Sequence, residues 1–375
     1  MKNTILIFII SLGLIGFAQD KNPIDELTEK KVLFDGKNLD SWEYAKPYWS
    51  LPGDGSVKGT TVKLKNPKTN TFLITKDKKF VDFELNVSYK LTTKNNSGII
   101  YRCLQIGNKE WYRVKGYQCE GENDMSKGAF MYGEADRGWI ALPGEMVCIK
   151  SAKEKVVVSK VNDHKTLIEK KFVNQKDWNH LRIVARGNHF LHYINGHLAI
   201  EVIDEDPKNF RNEGAIALQI HRGSPMTVFF KDVVVKKYKS NYGKTVFLNP
   251  EKWKNMNLSA ASDRFSSKNA KGNKGRGYKA NHIFNYNVYS FKSLTPELPK
   301  SDGVFRFQAS GSFSIGGKSL SAKGVVDEYR DIEVIISKGK KYLYEAGKYI
   351  GEVDSTKIDS KYLSARNFIF IPEKK

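Results

Sequence analysis

The segment WNHLRIVARGNHFLHYINGHLAI, running from Trp178 to Ile200, constrains the fold of this chain more tightly than any other. Asn195-Gly196 stands between the short apolar runs HYI and HLAI. A two-residue type I′ turn needs positive φ at both central positions, which these residue types supply. Arg186-Gly187-Asn188 marks a second reversal just upstream. A chain that turns back this often, with alternating and β-branched residues between the turns, has to bury its apolar faces between sheets. The same pattern continues from Val32 onward. It predicts strands at Thr61–Leu64, Phe72–Ile74, Phe80–Leu91, Gly98–Leu104, Gly116–Glu120, Ala129–Glu134, Lys155–Val161, Trp178–Ala185, His189–Ile194, Ala215–His221 and Met226–Lys236. Further turns are expected at Asp35-Gly36, Asn96-Ser97-Gly98 and Asn212-Glu213-Gly214, and a short helix over Pro23 to Lys30. The expected class is all-β, a sandwich rather than an open α/β sheet.

The N-terminus carries a different signal. Met1-Lys2-Asn3, an apolar run from Ile5 to Phe17, and small residues at Gly16 and Ala18 have the layout of a secretory leader over residues 1–18. The run is shorter than the roughly 20 residues that span a bilayer, so no transmembrane anchor is expected. The expected location is the periplasm or the medium. The remaining length suits two domains of roughly 100 to 200 residues each. The first is expected over residues 31–238. Residues 239–300, with the stretch SSKNAKGNKGRGYK, read as a basic linker or irregular segment. Strand signals return in VFRFQASGSFSI, IEVIIS, KYLYEA and FIFI, so residues 301–375 are expected to form a β-rich C-terminal unit, to which the sequence assigns no function.

A formal net charge of +21 would suggest nucleic acid in a cytosolic chain. The lysines are scattered rather than arrayed, and with the export signal this points to a solvated surface and no nucleic-acid partner. The three cysteines, Cys103, Cys119 and Cys148, cannot all pair within the chain and match no zinc-ligand spacing. They are expected as buried free thiols, with a Cys103–Cys119 bridge as the alternative if their strands are neighbours.

Period-two alternation assigns side chains to faces. Tyr117 and Cys119 point one way, Gln118 and Glu120 the other. Ile216, Leu218 and Ile220 form a core side, which leaves Gln219 and His221 opposite; Tyr132 and Glu134 share a phase, and Arg102 is expected opposite Tyr101 and Cys103. These polar groups cannot lie in a core unless every charge is paired. A curved sheet would gather them in a cleft, with Arg137 orienting Glu134 and Trp139 among the stacking aromatics.

Six segments in order, VLFDGKNLDSWE, NSGIIYR, GYQCEGEND, GAFMYGEADRGW, WNHLRIVARGNHFLHYINGH and GAIALQIHRGSPMTVFFKDVVVKK, resemble the 3-keto-disaccharide hydrolase domain family. The resemblance implies a jelly-roll (concanavalin A-like) β-sandwich, here followed by a second, smaller β-rich domain. It also implies a glycoside or oligosaccharide substrate already oxidised at C3, and so a functional link to a sugar 3-dehydrogenase. A C3 ketone acidifies the C2 proton, so cleavage can run by proton abstraction, elimination and hydration. Such a site needs a base, a partner for the developing oxyanion and an acid for the leaving group.

The expected catalytic set is Glu120, His221, Glu134 and Arg102: Glu120 or His221 as base or metal ligand, Arg102 on the oxyanion, Glu134 as acid or orienting carboxylate. Gln118, Tyr132, Arg137, Gln219 and Trp139 are expected to bind substrate. The sequence establishes no cofactor, and a divalent cation on Glu120 and His221 would suit the same chemistry. Glu120 stands where the family usually has aspartate, and the Glu-x-Asp-x-x-Glu pattern of laminarinase-type enzymes is absent from EGENDM. The alternative function is a non-catalytic carbohydrate-binding module.

Overall fold

The computed structural model describes residues 22–65, 67–107, 111–248, 259–261, 288–321 and 329–374. The leader-like run and most of the basic segment lie outside these residues. The first element is a single helical turn, α1 (Ile24–Leu27), and not the longer helix expected: at Thr28 the chain becomes extended and enters β1 (Thr28–Phe34). Next come β2 (Trp42–Glu43), β3 (Trp49–Ser50), β4 (Val57–Thr60), β5 (Thr71–Thr75), β6 (Phe83–Leu91), β7 (Ser97–Ile106), β8 (Arg113–Gly121) and β9 (Met131–Glu134). β10 (Gly138–Ala141), β11 (Glu145–Ile149) and β12 (Lys155–Lys160) precede the short helix α2 (His164–Glu169). β13 (Trp178–Arg186), β14 (His189–Ile194), β15 (His197–Asp204), β16 (Ala215–Ile220) and β17 (Thr227–Tyr238) complete the sandwich.

One sheet has the order β12-β11-β15-β14-β13-β6-β17-β4-β3, with β1 also on β17; the facing seven-stranded sheet runs β10-β9-β8-β7-β16-β5-β2. The predicted hairpin joins β14 to β15, with Ile194 opposite His197 and φ of 48° and 83° at Asn195 and Gly196. Between the sheets lie Phe83, Leu85 and Val87 of β6, Leu181, Ile183 and Ala185 of β13, Ile99 and Tyr101 of β7, Tyr117 and Cys119 of β8, and Ile216, Leu218 and Ile220 of β16. Each such large apolar side chain contributes about 1.5–3 kcal/mol by leaving water. His192 shares this core. Its Nδ1 faces the Ala129 carbonyl at 3.0 Å, so Nδ1 carries the hydrogen and Nε2 accepts from the Tyr101 hydroxyl at 2.9 Å.

The strand expected at Thr61–Leu64 is displaced to β4. Val62 N–H donates to Thr60 Oγ1 and Leu64 N–H to the Thr61 carbonyl, so local turn bonds replace ladder bonds in a segment that only alternates like a strand.

A third sheet follows, built from β18 (Val246–Phe247), β19 (Ser259–Ala261), β20 (Val288–Leu294), β21 (Gly303–Ser310), β22 (Phe313–Ile315), β23 (Lys318–Leu320), β24 (Arg330–Ser337), β25 (Lys340–Glu345), β26 (Lys348–Glu352) and β27 (Ile358–Pro372). One face encloses its own core of Phe305, Phe307, Val334, Leu343 and Phe370. The other packs Val304, Ile335, Ile369 and Ile371 against Val184, Leu191, Tyr193 and Ile203 on the outer face of the large sandwich sheet. Among the described residues this third layer packs on the side away from the seven-stranded sheet.

Candidate active site on the seven-stranded sheet

The outer face of the seven-stranded sheet is built by the residues that alternate with the core positions. Gln118 of β8 stands opposite Tyr132 of β9 and Ile100 of β7, and Glu120 stands opposite Gly98. Gly98 is required here, because a Cβ at that position would lie 2.6 Å from Gln118 Nε2. The Gln118 side chain therefore lies flat across β7 and reaches Gln219 of β16, the two amides exchanging hydrogen bonds of 3.3 Å. Gln118 Nε2 also donates to Glu120 Oε2.

The sheet is strongly curled. β5 and β8 approach one another although β7 and β16 separate them in the sheet. Phe72, Ile74, Ile100, Cys103, Val114, Ala215 and Ala217 form an apolar cluster on this face, with Tyr112 packed against it. The β7–β8 hairpin thus arches over its own sheet and turns the face into a hollow.

One wall of the hollow is aromatic. Trp139 stacks on Phe130 with centroids 4.2 Å apart and planes 7° apart, and Tyr132 stands perpendicular to both. Beyond Tyr132, Glu134 Oε1 accepts from Asn70 Nδ2 at 3.1 Å, while Asn70 Oδ1 accepts from the Arg222 N–H at 3.0 Å. His221, the preceding residue, places Nδ1 2.6 Å from the Arg222 carbonyl. A carbonyl only accepts, so Nδ1 carries the hydrogen and Nε2 keeps its lone pair.

Burial sets the charge states. Glu120 is 3% exposed. Loss of water, followed by the neighbouring Glu122 and Glu134 carboxylates, pushes its pKa well above the usual carboxylate range. Burial raises Glu134 as well, opposed by Asn70, Arg113 and Arg222. The same desolvation lowers His221, which favours the neutral imidazole.

A family model for the 3-keto-alpha-glucoside-1,2-lyase-like domain matches residues 29–236. The chain belongs to this family. Membership ties the lyase-like domain to carbohydrate chemistry and agrees with the β-sandwich described above. No curated protein matches the chain. Among solved structures, a Parabacteroides distasonis ATCC 8503 protein that bears a glycosyl hydrolase name is 20% identical, covering 56% of this chain and 99% of its own, with a TM-score of 0.37. A carbohydrate binding module from Bacillus subtilis is 13% identical over 53% of this chain and 98% of its own, with a TM-score of 0.35. A Bacillus licheniformis beta-glucanase is 10% identical over 57% and 92%, with a TM-score of 0.31.

Two residues expected in the site of the lyase-like domain lie elsewhere. Arg102 adopts φ +45° in a β-bulge where the β7–β8 register shifts between Tyr101 and Leu104. Alternation fails across a bulge. Tyr101 faces the inter-sheet core and Cys103 the outer cluster, while Arg102 is fully buried over the Phe190 ring. Its guanidinium donates to Asp82 Oδ1 and to the carbonyls of Val81, Gly187 and Arg211, so it has no part in the hollow. The bulge also places Cys103 and Cys119 on opposite faces, and all three cysteines are free and buried.

Arg137 likewise orients no glutamate. It lies over the Tyr117 ring with Nη1 2.8 Å from Asp204 Oδ2, held at the end of the sandwich. The expected cation fits the residues present poorly. Glu120 is buried and hydrogen-bonded by an amide donor, and among the described residues no three His, Cys, Asp or Glu side chains come together as a ligand set. Asn70 is the residue that sequence reasoning missed. It lies in an irregular loop, PKTN, where no periodicity reports direction.

Proposed function

We propose that the lyase-like domain cleaves 3-keto-glycosides or 3-keto-disaccharides by removing the C2 proton, expelling the C1 substituent and adding water across the resulting double bond. The carrying observation is the Glu120 carboxyl, buried beside the Gln118 amide that donates to it, where loss of water and the Glu122 and Glu134 carboxylates favour the protonated form. A neutral carboxylic acid donates a hydrogen bond. That is what an enediolate oxygen growing at C3 requires, and with Arg102 committed elsewhere Glu120 takes over the oxyanion role. The Gln118 and Gln219 amides beside it are suited to the neighbouring sugar oxygens.

His221 Nε2, neutral and with its lone pair available, is the better base of the two residues considered for that role. Positioned general bases contribute about 10²–10⁴-fold in rate. The base takes the C2 proton, the electron pair moves onto the C3 oxygen, and the C1–O bond then breaks to give a C1=C2 enone. Glu134, whose protonated form burial favours, supplies the proton that the departing oxygen needs. Water then returns a hydroxyl to C1 and a hydrogen to C2. The sum is hydrolysis. The Phe130, Tyr132 and Trp139 wall would carry the apolar face of the sugar or its aglycone.

Substrate of this kind has to be made by an oxidation at C3, so a sugar 3-dehydrogenase is the implied supplier. Export by the predicted leader would bring the activity to the periplasm or the medium. The test compares aglycone release from a glucoside and from its 3-keto counterpart. Release from the 3-keto compound alone is expected. Binding of both with release from neither would make the domain a carbohydrate-binding module.

A further inference from the structure

We propose that Asn70 is a positioning residue for Glu134, clamping that carboxylate to the His221–Arg222 turn so that the acid and the base act across one hollow. The inference rests on the lyase reading above and deepens it. Asn70 precedes β5 and belongs to neither strand it joins. Its Nδ2 donates to Glu134 Oε1 at 3.1 Å, and its Oδ1 accepts from the Arg222 N–H at 3.0 Å. Glu134 sits on β9, and Arg222 follows β16, with β8 and β7 between those strands. The amide therefore ties together two parts of the curled sheet that the ladder does not join directly. Asparagine is the residue type for this, since it offers a donor and an acceptor on one planar group. An ionised aspartate could supply the acceptor half only.

Other groups also act on Glu134. The negative charge of Glu134 and the Glu120 and Tyr132 groups of β8 and β9 repel one another when ionised, and Arg113 at the start of β8 and Arg222 favour the charged form of Glu134. Among these the Asn70 amide makes a direct hydrogen bond to Glu134, and removing it disfavours the carboxylate.

The experiment titrates carboxyl-labelled glutamate by carbon NMR in the full chain, with Glu134 assigned through Glu134→Gln, in wild type, Asn70→Ala and Asn70→Asp. The expected result is an upward move of the Glu134 midpoint by about half a pH unit or more in both variants, larger in Asn70→Asp, where a second negative charge is added. The alkaline limb of 3-keto-glucoside cleavage should move up in step, with kcat reduced and KM little changed. Folded variants with an unmoved midpoint overturn the clamp. Asn70→Asp keeps the acceptor for the Arg222 N–H, so it decides the matter if Asn70→Ala does not fold; loss of folding in both assigns Asn70 a structural role and overturns the proposal. A moved midpoint in a protein without turnover leaves the clamp standing and removes the lyase reading.

Discussion

Glu120 shows how one residue's surroundings decide its chemistry. In water its carboxyl would ionise near about pH 4.3. Here burial, then Glu122 and Glu134, raise it well above that value. Between the unfolded and folded values the native state holds a proton that the unfolded state has lost. The stability Glu120 permits is therefore complete below the unfolded value and falls as pH rises toward the folded one. Glu120→Gln removes this penalty. The variant should gain thermal stability relative to wild type as pH goes from 4 to 8, and melting curves across that range check it; a difference independent of pH would mean that Glu120 is ionised in the native protein. The faces of Gln118, Glu120, Tyr132, Glu134 and Gln219 were legible in the sequence because the alternation through their strands is unbroken. Arg102 was not, since one residue in the left-handed region reverses the phase. Asn70 was not, since a loop residue's direction is set by contacts distant in sequence.

At the scale of elements, two glycines separate the architecture of the site from its chemistry. A Cβ at Gly214 would lie 2.4 Å from the Arg102 carbonyl carbon and 2.6 Å from the Cys103 nitrogen, backbone atoms that cannot move aside. A Cβ at Gly98 meets the end of a flexible side chain, Gln118. Gly214→Ala should thus cost about 3 kcal/mol in denaturant unfolding, and Gly98→Ala about 1 kcal/mol. Turnover should respond in the opposite sense: Gly98→Ala displaces Gln118 from Glu120 and Gln219, and most activity goes with it. Equal stability losses would contradict the packing described. The hairpins were readable because their turn residues are local. The short strands β2, β3 and β10 were not, because two to four residues carry too little pattern to stand out without their sheet partners.

At the scale of the whole molecule, the C-terminal sheet is joined to the sandwich by buried charge as well as apolar packing. Arg306 is fully buried between Glu201 of β15 at 2.6 Å and Asp331 of β24 at 2.7 Å, and Arg186 of β13 meets Glu333 at 3.0 Å. Burial disfavours ionised Glu333, yet Arg186 and Arg306 outweigh it and hold that carboxyl at about 2. Breaking such a pair by removing one partner costs about 3–5 kcal/mol, because the other charge stays buried. The sequence indicated a second β-rich unit but not this junction, since charged residues spaced along strands look the same whether they face water or another sheet. Among the described residues the layer packs on the sandwich sheet opposite the one that carries the hollow. The central claim is that this hollow breaks a carbon–hydrogen bond at C2 before the glycosidic bond goes. Cleavage of a 3-keto-glucoside in heavy water tests it most directly: the account predicts one carbon-bound deuterium at C2 of the released sugar, in excess of that taken up by the free 3-keto sugar in the same buffer, and lost together with turnover in His221→Ala. Release of a sugar with C2 still carrying its original hydrogen would contradict it.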